Sequence, residues 1–134
     1  MITKKEICNV LKDIINDDTI KILPNRISNK DEKAICVEDS NLLKQIAIKE
    51  STRTFNQVSF RINIRYSTNE TETEDFCRDL YEKIKNISYY RVNDKNVWLQ
   101  TIAIEEPYAT GSVKNNIYEQ RIEFGFIYSI NKLQ

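Results

Sequence analysis

A chain of 134 residues with 20 basic and 20 acidic side chains carries no formal net charge, so nothing global draws it to nucleic acid or to an anionic membrane. Its length suits one domain able to bury roughly two-thirds of its unfolded surface. Histidine is absent, which removes the commonest general base and metal ligand. No apolar run approaches the roughly 18 residues of a membrane span, and Met1–Lys5 does not begin a signal peptide, so synthesis in the cytoplasm is expected.

The first predicted element is a helix. Thr3 and Glu6 form a capping box, Ile2 and Ile7 a hydrophobic staple, and Ile7, Val10, Leu11, Ile14 and Ile15 trace one face. Asp17-Asp18 is unfavourable at the negative end of a helix dipole, which places the end near Asn16. Ile20–Pro24 is short and mixed, and Pro24-Asn25 opens a polar connection. Ala34–Glu38 is a compact apolar run, read as an inner strand. Leu42–Ile48 fits one helical turn or, at Ile46-Ala47-Ile48, a strand; the reading here is a mobile excursion with a short strand.

From Gln57 to Tyr66 the chain alternates strictly, with Val58, Phe60, Ile62, Ile64 and Tyr66 on one side and Gln57, Ser59, Arg61, Asn63 and Arg65 on the other. That is a half-buried strand. Phe76, Leu80 and Ile84 then recur every fourth residue beside Cys77 and Tyr81, and Thr71 with Glu74 reads as a capping box, predicting a helix over Thr71–Ile87. Ser88–Lys95 is a polar link ending in a turn at Asp94-Lys95-Asn96. Val97–Ile104 reads as an interior strand closed by Glu105-Glu106-Pro107, and Tyr108–Asn116 as a long loop holding Gly111. Tyr118–Ile130 alternates again and is the longest strand; Gly125 falls on its polar side, where it marks a bulge or a close neighbour. The order implies a single α+β domain over 1–134: a mostly antiparallel sheet, two helices packed on its apolar face, the other face polar. Phe60, Ile62, Leu80, Ile84, Ile122 and Phe124 are the expected core.

Chemistry is hard to find. Cys8, Cys36 and Cys77 are an odd number without close pairs, read as buried thiols and not as a zinc site or disulfide frame. Two glycines in the chain can barely build a phosphate cradle, and none of the usual nucleotide or nucleophile motifs occurs. Glu70, Glu72, Glu74 and Asp75 complement a helix dipole better than they suggest a cation site. Arg61, Arg65 and Tyr66, with Tyr89, Tyr90 and Arg91, could clamp a single nucleic-acid strand. Alternatively, if the two one-faced strands are neighbours, Arg61 and Arg65 pair with Glu119 and Glu123 across the polar face. The residues favour binding or assembly over catalysis, with no cofactor or metal expected.

An N-terminal amphipathic helix, a short strand Ala34–Glu38, the strand Val58–Tyr66 running into an acidic-started helix with Leu80-Tyr81 at its centre, and two C-terminal strands, the last beginning Tyr118–Phe126, follow one another in this order. The arrangement resembles the tail-terminator and minor-capsid proteins of long-tailed bacteriophages and of phage-like elements in bacterial genomes. Asp39–Thr54 departs from that family, whose members often carry glycine- and proline-rich segments there. The resemblance implies a non-catalytic virion protein, made in the host cytoplasm. Its protomers form a ring, usually hexameric, that caps the tail tube and joins it to the connector of the head. The partners would be the chain itself, the tail tube protein and a head-completion protein, with no membrane and no sequence-specific nucleic acid. Interface candidates are Arg61, Arg65, Tyr108, Lys114, Glu119, Arg121 and Glu123; a small non-catalytic binding module and a nucleic-acid binder are the alternatives.

Overall fold

The computed structural model describes residues 2–24, 33–45, 56–92, 97–112 and 117–130. In chain order the elements are α1 (Lys4–Ile15), β1 (Lys21–Leu23), β2 (Ala34–Asp39), α2 (Leu42–Gln45), β3 (Asn56–Arg65), α3 (Glu70–Lys85), β4 (Tyr90–Arg91), β5 (Val97–Ile104), β6 (Tyr108–Ser112) and β7 (Tyr118–Ile130). Among the described residues, the strands make one seven-stranded sheet in the order β1-β2-β3-β7-β5-β4, with β6 also on β7. β1 and β2 are parallel and every other pair is antiparallel. The fold is α+β, as composition and pattern imply.

The helices begin where side chains can satisfy free amides. At α1 the expected capping box is present, with the Thr3 hydroxyl accepting from Glu6 N at 3.1 Å and Glu6 Oε1 accepting from Thr3 N at 3.2 Å. Asn16 closes the helix in the left-handed conformation, φ 52°, which asparagine tolerates better than most residues. The start of α3 differs from the reading: Asn69, not Thr71, is the cap, its side chain accepting from Glu72 N at 3.0 Å. Asparagine is at least as good a cap as threonine, and Ser67 Oγ fixes it by accepting from Asn69 N at 2.8 Å. The helix ends at Lys85, two residues before the expected Ile87.

β3 and β7 run antiparallel for ten registered pairs, including Phe60 with Phe124 and Ile62 with Ile122. Because side chains alternate, these pairs and Ile35 and Val37 of β2 share one face, called inner here. They join Ile7, Val10 and Leu11 of α1 and Cys77, Leu80 and Ile84 of α3 in one buried cluster. All six expected core residues belong to it. Helix α1 lies against β1 and β2, and α3 against β5 and β7.

Several expectations fail for identifiable reasons. Tyr108–Ser112 is a strand, not a loop: after Pro107, which has no N–H to give, the chain resumes pairing with β7 at Tyr108↔Arg121. Strands β5 and β6 thus form one interrupted arm of a long hairpin. β6 was hidden because Tyr108, Ala109 and Thr110 are all exposed, so no alternation marks it. Ile20–Pro24 contains β1 and Ser88–Lys95 contains β4, both too short for a periodic signal. Leu42–Gln45 is helical, where a mobile excursion was expected, and Leu42 and Leu43 are buried. The expected strand at Ile46-Ala47-Ile48 and the turn at Asp94-Lys95-Asn96 lie outside the described residues.

The outer face is also less polar than expected, since α2 packs on it against β3 and β7. Gly125 permits this. A Cβ there would stand 2.6 Å from Leu43 Cγ, so of the two roles foreseen for this glycine the close neighbour is its own. The bulge lies opposite, in β5, where the register slips between Thr101 and Ala103.

Candidate protein interface

The outer face of β2, β3, β7 and β6 is a grid whose rows follow from register. One row carries Glu38, Arg61 and Glu123; the next Cys36, Asn63, Arg121 and Tyr108; the third Ala34, Arg65 and Glu119, with Thr110 of β6 alongside. Arg61, Arg65, Glu119, Arg121, Glu123 and Tyr108 are therefore brought together, as six of the seven interface candidates. Lys114 lies outside the described residues.

The expected cross-strand pairing holds for one arginine. Arg65 Nε donates to Glu119 Oε2 at 3.2 Å, both side chains are under 15% exposed, and Thr110 Oγ1 adds a hydrogen bond to Glu119 Oε1 at 3.0 Å. Arg61 stands opposite Glu123 in register but its guanidinium turns to β2, meeting Glu38 Oε2 at 2.9 Å. That hydrogen bond holds the Arg61 pKa further above its ordinary value, against the opposing effect of burial. Glu123 instead accepts from Ser40 Oγ at 2.7 Å. Ser40 ties the patch to α2, because its Oγ also accepts from Leu42 N at 3.1 Å while its carbonyl accepts from Ser59 Oγ at 2.7 Å.

Glu38, Ser40, Ser59 and Asn63 were not foreseen as part of the site. Glu38 sits at the end of what reads as an apolar run, and the pairing of β2 with β3 has no local signature. Asn63 donates to Glu38 Oε1 and to Cys36 Sγ. Arg121, between Asn63 and Tyr108, has no acid in its row; its Nε is buried without a hydrogen-bond partner.

The tyrosine–arginine pattern that could clamp nucleic acid is not assembled. Tyr66 points inward and stacks on Phe76 with centroids 4.2 Å apart, while Arg61 and Arg65 face the other way. Tyr90 donates its hydroxyl to Asp13, and burial together with this bond pushes its pKa up to about 12. Tyr89 stands 76% exposed at φ 53°.

Comparison with known protein families and with curated proteins finds no match.

The thiols have no catalytic setting. All three cysteines are buried and unpaired, and burial pushes Cys77 up to about 12 and Cys8 upward from 9.0. A thiol so placed stays protonated and inert at neutral pH. What the outer face offers is a set of positioned charges around Arg121, whose side chain has no hydrogen bond or ion pair among the described residues, with an exposed tyrosine at its rim and the short strand β6 beside it. Arginine and tyrosine are the residue types enriched where proteins meet.

Proposed function

We propose that this chain is a virion structural protein: a tail terminator of a long-tailed bacteriophage or phage-like element. Copies of it close into a ring, a hexamer by family resemblance, that caps the tail tube and joins the head. The resemblance rests on the order of the main elements, α1, β2, β3, α3, β5 and β7, to which the fold adds β1, α2, β4 and β6. The observation that carries the reading furthest is β6. Tyr108–Ser112 pairs with β7, exposes Tyr108 at 40%, and borders the charged outer face. An edge strand with an aromatic anchor next to fixed charges suits contact with another protein chain, and head-to-tail contacts between copies close into rings.

The test is mass in solution together with negative-stain imaging, alone and with tail tubes. Rings, and tubes ending in them, are expected. A strict monomer at high micromolar concentration, with bare tube ends, would overturn the reading. The segment between β6 and β7 gives an in vivo counterpart. Replacing residues 113–116, Lys114 included, by Asn-Gly should keep β6 and β7 paired, and tails should then fail to join heads. Normal infectious particles from such a phage would remove this segment from the mechanism.

A further inference from the structure

We infer that the outer face at Tyr108 and Arg121 receives the acidic start of α3 from a second copy of this chain, an inference that rests on the ring reading above. Among the described residues, the buried side-chain nitrogen and oxygen atoms without a hydrogen-bond partner are Arg61 Nε, Asn63 Oδ1, Trp98 Nε1 and Arg121 Nε. By register all four belong to the outer face and none to the inner one. Buried polar atoms are normally satisfied, so this side of the sheet is the one left incomplete in a single copy.

Arg121 is where a partner can reach this row from outside: its Nε is enclosed, but the residue as a whole is only half-buried. Its side chain makes no hydrogen bond or ion pair among the described residues, and the register puts Asn63 and Tyr108, not a carboxylate, at its sides. Its neighbours along β7 are already engaged, Glu119 by Arg65 and Thr110 and Glu123 by Ser40. Tyr108 adds an exposed ring at the same spot.

The complementary surface is on the same chain. Glu70, Glu72, Glu74 and Asp75 are exposed, and no ion pair joins any of them among the described residues. The first basic residue of the helix, Arg78, turns to Glu106 at 3.9 Å. The two surfaces share one end of the β6–β7 hairpin, for Glu74, Asp75 and Arg78 line a groove of about 380 Å³ with Pro107, Ala109 and Gln120. They lie on opposite sides of the sheet, however: α3 covers the inner face, whereas Arg121 and Tyr108 are on the outer. No copy can join its own two surfaces, and the contact between copies is heterologous, as ring closure requires.

Charge reversal tests this in the full-length chain by analytical ultracentrifugation. Arg121→Glu alone, and Glu74→Lys with Asp75→Lys, should each weaken self-association about tenfold or more. An equimolar mixture of the two should form rings again, because in alternating order every reversed face meets a reversed partner. Circular dichroism reports folding; should Arg121→Glu unfold, the helix variant, whose changes are both on exposed residues, decides by itself. Rings that persist in the helix variant or in a folded Arg121→Glu variant overturn the inference while leaving the ring reading intact. So does a mixture that stays dissociated. A wild-type chain that never forms rings overturns both.

Discussion

The two faces of the β3–β7 ladder are built from alternate residues of the same two strands, yet they are held by different physics. On the inner face Phe60, Ile62 and Ile64 meet Ile122 and Phe124 with almost no exposure, and the stabilisation is non-directional, scaling with area removed from water. On the outer face buried Asn63 and half-buried Arg61 and Arg65 sit among Glu38, Glu119, Arg121 and Glu123, where each contact depends on direction, and Arg61, Asn63 and Arg121 each keep one buried atom without a partner. Among the described residues, every buried side-chain nitrogen or oxygen atom without a partner lies on the outer face. On the proposed reading, folding rests mainly on the inner face and recognition on the outer.

The sharpest break of that comparison is on the inner side. Leu80→Ala removes a fully buried side chain between α3 and the sheet and should cost about 2–5 kcal/mol, read by urea denaturation. If it costs less than Arg61→Ala, the assignment of faces is wrong.

The inner side should also reject charge. Burial pushes Cys77 from 9.0 to about 12, so between those values the native state keeps a proton that the unfolded chain has lost. Stability from this group is fully present below pH 9 and falls as pH rises towards 12. At roughly pH 10.5 the loss should be about 2 kcal/mol. Cys77→Ala should flatten that alkaline slope whatever it does to stability at pH 7; an unchanged slope would place the thiol in contact with solvent.

How much of this was legible in the sequence follows from the same contrast. β3 and β7 were readable nearly to the residue, since one-faced burial stamps a period of two on Val58–Ile64 and Ile122–Phe126, and β5 from its β-branched and aromatic content and the proline stop after Glu106. The Arg65–Glu119 pair was readable because both strands showed their faces. Arg61 was not, because its choice of Glu38 over Glu123 depends on how β2 lies beside β3, and pairing between distant segments has no local sign. β6 was illegible for the opposite reason: exposed on both faces at Tyr108–Thr110, it lacks any pattern to read. For α3 the chemistry was right and the position wrong, since Thr71-x-x-Glu74 and Asn69 both satisfy capping rules and the fixed turn at Ser67 decides between them.

Gly125 tests the outer face where it is packed, not charged. A Cβ at this position would lie under 3.0 Å from Cγ and both Cδ atoms of Leu43. Gly125→Ala should therefore cost about 1–3 kcal/mol by overpacking. Combined with Leu43→Ala the penalty of the added methyl should vanish, and a double-mutant cycle reads the coupling. Simple additivity would mean that α2 does not press on the sheet.

The smallest effect is expected at Arg61. Its partner Glu38 is 2.9 Å away, but the two side chains are 31% and 41% exposed, and an ion pair so placed contributes about 0–1 kcal/mol. Arg61→Ala in the isolated chain should fall in that range, and less in high salt, as screening predicts. The more enclosed Arg65 shares Glu119 with Thr110 at under 15% exposure and should cost more, about 1.5–3 kcal/mol for losing a charge-assisted bond. Urea denaturation of Arg61→Ala, Glu38→Ala and the double variant separates pairing from packing, because the arginine stem covers apolar surface that alanine cannot. A coupling well above 1 kcal/mol would mean that the outer face stabilises the single copy as the inner face does. The division between a face that folds the chain and a face that awaits a neighbour would then be lost.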